Sequence, residues 1–376
     1  MVSVLNEIVK LRNGAPIAID YQNNNRYRVV IQEMNGTKTA YYFSTPVYNI
    51  RTRQAVDLKF HKKDSLAYSV GSNANITISD QVRLENAEGA CSVSLDGFVS
   101  FLSVRELKCG NNRLFPAVNG MMYMISCQGN LPFSFDLEVS KPFMEVRGND
   151  KYFSLMSEAF RPFVTVSCIG TTDMGGNVIA PAKISYQKIT DRKYRLTVMP
   201  CSPLGKWVML EINLYEAKLI QDTTVESANP QTNNAFGSSA FIGNTTEFGE
   251  QWLYSRPDFA KMSELADKRI LKAIVHLPKF NRANVELSAF QVSARFCSFG
   301  SNWDNKIAAS AAVSDSVTGN GYQDIDITGL LADPRTGMLT RSEGIILKSQ
   351  VKGSGFSAIA TGDSYYAPQI YEIHFR

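Results

Sequence analysis

Histidine is nearly missing from this chain, with His61, His276 and His374 the three among 376 residues. A Ser-His-Asp triad or a multi-histidine metal site would need them to converge from distant places. Walker A, H-E-x-x-H, G-x-S-x-G and EF-hand patterns are all absent, which removes the function classes that depend on them. No run of about 18 apolar residues occurs, so no segment reads as a spanning helix. The formal charge of +4 is small for this length and no dense Lys/Arg cluster exists, which argues against nucleic acid or an anionic membrane as the main partner. No C-x-x-C joins Cys91, Cys109, Cys127, Cys168, Cys201 and Cys297. Buried free thiols are expected, with an internal disulfide among the first five left open by spacing.

The opening stretch, MVSVLNEIVKLRNGAP, lacks the basic region, apolar core and small-residue cleavage site of a secretory signal. It fits a short amphipathic helix with Val4, Ile8 and Leu11 on one side, or an opening strand. Either the sequence begins after a removed signal or the protein leaves the cell by another route, such as lysis.

What the chain has is a dense rhythm of short apolar runs. Residues 27–34 and 37–43 flank Asn35-Gly36, the strongest short-range hairpin signal. Further runs break at Gly, Asn and Asp about every ten residues, the spacing of sandwiches and barrels. Val208, Leu210, Ile212 and Leu214 make one clean apolar face of residues 207–215. Near the end, Ile370, Glu372 and His374 face one way while Tyr371, Ile373 and Phe375 face the other. Residues 355–361 and 369–375 read as a terminal hairpin, and residues 258–267 as the best internal helix. These patterns predict an all-β protein of two tightly joined antiparallel sandwich or jelly-roll-like domains, 1–216 and 217–376. The first is expected to serve assembly or anchoring and to allow a subdivision near 105.

Several pieces of the second half recur in order. Asp222-Thr223-Thr224-Val225 comes with Asn229-Pro230, Asn233 and Phe236-Gly237, followed by Trp252-Leu253-Tyr254-Ser255-Arg256. Then come Ala273 to Leu277, Asp326-Ile327-Thr328, Gly344 to Leu347 and Tyr366-Ala367-Pro368-Gln369-Ile370. In this order they resemble a DNRLRE-type domain, a β-sandwich family of bacterial surface and secreted proteins partly classed with carbohydrate-binding modules. The tryptophan that relatives often carry after the Asp-Ile-Thr turn is missing. The resemblance implies a structural or adhesive role without catalysis, and the first 216 residues carry none.

Two constellations remain for chemistry. Asp324, Asp326 and Thr328 fall at i, i+2, i+4 on one expected strand face. Such a pair suits hydrogen bonds to loop N–H groups, a calcium ion, or the paired carboxylates of a glycosidase. Trp252, Trp303, Tyr365 and Tyr366 stand near loops or strand ends, where aromatic faces stack on sugars. Gly353 to Ala358 formally satisfies G-x-G-x-x-A, but a strand follows where the dinucleotide motif needs a helix.

The resulting expectation is a non-enzymatic subunit without a required cofactor. It would belong to a homo-oligomeric assembly on a virion, spore or other extracellular surface, be assembled in the cytoplasm without a signal peptide, and contact a polysaccharide. The alternatives are a secreted carbohydrate-binding protein lacking its signal, and a glycoside-active enzyme using Asp324 and Asp326.

Overall fold

A computed structural model describes residues 4–376 apart from 50–53, 57, 72–73, 144, 284, 320, 341, 351–352 and 354. The chain is all-β, as the short alternating runs predict, and its large antiparallel sheets enclose apolar cores in the manner of sandwiches. Two compact units result, and neither is continuous in sequence. One contains residues 56–216 and 236–239; the other contains the N-terminal segment up to Ala55, residues 217–235 and residues 240–376.

In the first unit, one sheet runs from Val99–Ser103 through Glu106–Cys109, Asn112–Ala117, Gly120–Ser126, Trp207–Leu214, Arg161–Thr172 and Tyr152–Glu158 to Glu145–Gly148. The other runs from Ala182–Thr190 through Lys193–Pro200, Phe133–Val139, Gly89–Ser94, Gln81–Asn86, Asn75–Ile78 and Tyr68–Val70 to Phe60–Lys62. Successive side chains of a strand point to opposite faces, so alternate residues meet in the middle. Val208, Leu210, Ile212 and Leu214 from one sheet share an apolar core with Val82, Leu84, Leu137, Leu196 and Val198 from the other. The subdivision considered near 105 has no counterpart, because Val99–Ser103 and Glu106–Cys109 are hydrogen-bonded neighbours. All six cysteines are free thiols; four are buried, Cys201 is half-buried and Cys297 exposed.

The second unit departs from the expected 217–376 domain because the N-terminal segment completes its sheet. Arg28–Gln32 and Lys38–Phe43 form the hairpin signalled by Asn35-Gly36, with Gly36 at a φ of 82° closing its turn. The second arm then pairs with the last strand, Ile370–Phe375, placing Lys38 opposite Phe375 and Phe43 opposite Ile370. On its other side the last strand pairs with Ile270–Pro278, followed in order by Tyr322–Asp326 and Ala309–Gly319. That long strand passes into a second layer made of Leu287–Val292, Ile345–Ser349, Gly249–Pro257, Ser239–Thr245 and Gly355–Ala360, with Ile220–Glu226 beside Gly249–Pro257. The terminal hairpin expected from sequence is therefore not formed: Gly355–Ala360 ends one layer while Ile370–Phe375 lies inside the other. A strand with both ladder sides available gains more by pairing on each side than by folding onto its predecessor.

The sandwich core takes Ala40, Tyr42, Val275, Ile325, Tyr371 and Ile373 from one layer and Leu253, Leu287, Ala289, Leu347 and Ile359 from the other. The outside of the first layer is covered by the α-helix Val4–Leu11, whose Val4 and Ile8 pack on Val29, Ile31, Tyr41, Phe43 and Ile370. The expected helix at 258–267 is instead 3-10 over Phe259–Leu265, capped by Asp258 and broken by Met262 at φ −118°. The non-helical Met262 interrupts the i→i−4 ladder and leaves the segment in short 3-10 turns. Among the described residues no helix is long and apolar enough to cross a membrane.

Candidate functional site

Along Gly249–Pro257 the alternation that sends Leu253 into the sandwich sends Trp252 and Tyr254 out of the opposite face. There Tyr254 packs with Val225, Val292, Phe296 and Ile346, a small apolar layer roofed by residues 293–308. The roof is pinned by its own polar side chains. Asn302 N–H donates to Asn305 Oδ1 at 2.8 Å and Asn305 N–H returns to Asn302 Oδ1 at 3.1 Å. Asn233 Nδ2 donates to the carbonyls of Ser298 and Ser301, both at 2.8 Å, and the Tyr254 hydroxyl donates to the Ile307 carbonyl at 2.7 Å.

This roof sets Trp303 against Trp252, with ring centroids 5.0 Å apart and planes tilted by 53°. Both rings are half-buried. Lys306 Nζ lies 4.3 Å from the Trp303 centroid, and Lys348 Nζ lies 3.6 Å from that of Trp252. Cation–π contacts of this kind contribute roughly 1 kcal/mol each and hold both rings in place. Trp252 Nε1 donates to Glu250 at 2.8 Å. Burial, followed by the repulsion of Lys306, lowers the Lys348 pKa against the opposing pull of Glu250. The patch is thus an aromatic corner bearing two lysine ammonium groups, with the Glu250 carboxylate acting on Lys348. Of the other expected ligand contacts, Tyr365 is buried and offers no face to solvent, while Tyr366 is half-buried.

Asp324 and Asp326 lie on Tyr322–Asp326, but Thr328 does not continue that strand; it begins the helical turn Thr328–Leu331. Each carboxylate is engaged separately. Asp326 Oδ1 accepts from Thr328 N–H at 2.9 Å, and Asp324 Oδ1 lies 2.8 Å from His276 Nδ1, its cross-strand partner. No group of three His, Cys, Asp or Glu side chains suited to a metal occurs among the described residues.

His276 leads into a network that sequence reasoning treats as improbable. Its Nε2 lies 3.1 Å from Glu372 Oε2, and the other oxygen of Glu372 meets His374 Nε2 at 2.5 Å. His374 Nδ1 then lies 3.1 Å from Thr39 Oγ1. Hydroxyl, imidazole and carboxylate in line have the outline of a catalytic triad. Two observations argue against that use. Thr39 is fully buried, and its hydroxyl donates its only proton to Glu33 at 2.6 Å. It therefore meets His374 as an acceptor, the reverse of what an activated nucleophile requires. Glu33 is in turn held by Arg12 through bonds of 2.6 and 2.9 Å, beside a cleft of about 660 Å³ lined by Arg12, Ile17, Glu33 and His374.

Burial opposes ionisation of Glu372, but hydrogen bonds from His276 and His374 outweigh it and bring its pKa down to about 2. Burial likewise opposes charge on His276, and the bonds to Asp324 and Glu372 outweigh it, raising its pKa. The network ties together four neighbouring strands, those of Asp324, His276, Glu372 with His374, and Thr39. The chain matches no model of a known family, and a comparison with curated proteins finds no match for it.

Proposed function

We propose that this chain is a non-catalytic structural or adhesion protein of an assembled particle or surface, such as a virion or spore layer. In this reading its second unit contacts acidic polysaccharide through Trp252 and Trp303. The carrying observation is the paired, half-exposed rings flanked by Lys306 and Lys348. A sugar ring presents an apolar face to indole, and a uronate or sulfate group would pair with the Lys306 and Lys348 ammonium groups. The ordered motifs that resemble DNRLRE-type domains support an outward-facing, adhesive role for the same unit. The dispersed engagement of Asp324 and Asp326 favours this reading over a glycosidase, which needs two carboxyl groups facing one bond.

The test is a glycan array probed with the full chain and with Trp303→Ala. Binding to acidic glycans that weakens with added salt and falls about five- to thirtyfold in the variant is the expected result, since losing one aromatic contact costs about 1–2 kcal/mol. Uniform silence across the array would leave a purely structural role and remove the glycan contact.

A further inference from the structure

Residues 216–221 read as a plain connection in sequence, yet Lys218 is almost fully buried in the second unit. Its side chain is 12 % exposed, and its Nζ lies directly against Asp363 Oδ1, whose side chain is 8 % exposed. Asp222 follows four residues later, in Ile220–Glu226, and is itself 2 % exposed. Its Oδ2 accepts from Gly362 N–H at 2.7 Å, which brings it beside the residue preceding Asp363. Its Oδ1 is buried and has no hydrogen-bond partner. Gly362 makes the approach possible, because a Cβ there would stand 2.9 Å from Asp222 Oδ1. Lys261 is the other cation at this place, with its Nζ donating to the Lys218 carbonyl.

An amine held against a carboxyl group in a dry site, with a second carboxyl alongside, has the parts of an amide-forming centre. As a permanent ion pair the same arrangement is costly, because desolvating Lys218 and two carboxylates is incompletely repaid and one Asp222 oxygen stays orphaned. We propose that Lys218 and Asp363 are joined by an amide bond between Nζ and Cγ, formed by the folded chain itself with Asp222 as proton carrier. The ammonium first passes a proton to the carboxylate, leaving a neutral amine and a carboxylic acid. The Nζ lone pair then forms the N–C bond at Cγ, and Asp222 donates to the oxygen that departs and recovers a proton from nitrogen. The departing oxygen leaves as one water molecule, so ammonium plus carboxylate becomes amide plus water with no oxidant or co-reactant.

Burial prepares the Lys218 amine and the Asp222 proton carrier for this exchange. Desolvation, against the pull of Asp222, lowers the Lys218 pKa to about 8, and desolvation raises that of Asp222 to about 6. The amine is thus neutral, and the acid protonated, far more often than either would be in water. The bond would tie the segment entering Ile220–Glu226 to the loop before the final strand, a separation of 145 residues.

Intact-mass spectrometry of the full chain under denaturing conditions tests this directly. The expected mass is that of the sequence less one water, with a branched peptide joining Lys218 to Asp363 after digestion. Lys218→Arg and Asp363→Ala should each restore the full mass, and Asp222→Ala should retain the water in most molecules. An unmodified wild-type mass, with both residues in linear peptides, overturns the bond without any variant having to fold. Undiminished water loss in Asp222→Ala overturns the role given to Asp222.

Discussion

In the unit built on residues 56–216, a single apolar cluster reaches from Phe60 to Leu214 between two sheets. The unit that ends at the C-terminus divides its apolar side chains among clusters inside and outside the sandwich, and buries Asp222, His276 and Glu372 beside them. Lys151 and Glu211 are buried in the first unit too. Yet its one histidine, His61, is exposed, and no chain of carboxylates and imidazoles comparable to that at Glu372 occurs there among the described residues. Apolar burial is indifferent to pH, whereas ion clusters stabilise only within a window. The first unit has the makings of a passive scaffold, and the second carries the groups that can respond, bind or react.

Chemical denaturation monitored separately for the two units can break this contrast. If the amide bond exists, replacing Lys218 by Arg removes a crosslink closing 145 residues, which on chain-entropy grounds lowers the stability of the second unit by about 5 kcal/mol. The first unit's transition should not move. A shift confined to the first unit would contradict the placement of Lys218 and Asp363 in the second unit.

Leu210→Ala sharpens the other side of the comparison. Leu210 is fully buried at the centre of the first core, so its truncation should cost about 2–5 kcal/mol in that unit. A loss below 1 kcal/mol, by the same chemical denaturation, would mean that the sheets do not enclose one tightly packed core.

The smallest effect expected is a pH window in the second unit. Glu372, with its pKa lowered from 4.5 to about 2, contributes stability above its unfolded pKa that is lost as pH falls toward 2. His276, raised from 6.5, contributes stability that is complete below its unfolded pKa and lost as pH rises through the higher folded one. The second unit should therefore be most stable between about pH 4.5 and 6.5, with the network contributing on the order of 2 kcal/mol. His276→Gln should flatten the decline on the alkaline side; an unchanged decline would place its origin elsewhere.

The local half of this architecture was legible because it depends on neighbours in sequence. The period-two alternation of residues 207–215 and 370–375 states which side chains share a face, and Asn35-Gly36 marks a turn that few other pairs can make. The amphipathic spacing of Val4, Ile8 and Leu11 is a helix, the first of the two forms it allowed. Trp303 among Gly, Ser, Asn and Asp was likewise readable as a ring held by a polar loop.

Strand order is another matter, because a strand's pattern names its faces and leaves its partners open. Nothing in residues 28–43 announces that they pair with residues 370–375, and the break at Gly362-Asp363-Ser364 suggests a hairpin that the sheet does not make. The same non-local pairing gathers His276, Glu372 and His374 from strands nearly 100 residues apart, and it sets Lys218 against Asp363. Composition and periodicity by themselves determined an all-β chain and the inward side of its strands. Which charged groups meet in the dry interior was decided by tertiary pairing, since long-range register brings together residues whose local patterns carry no trace of one another.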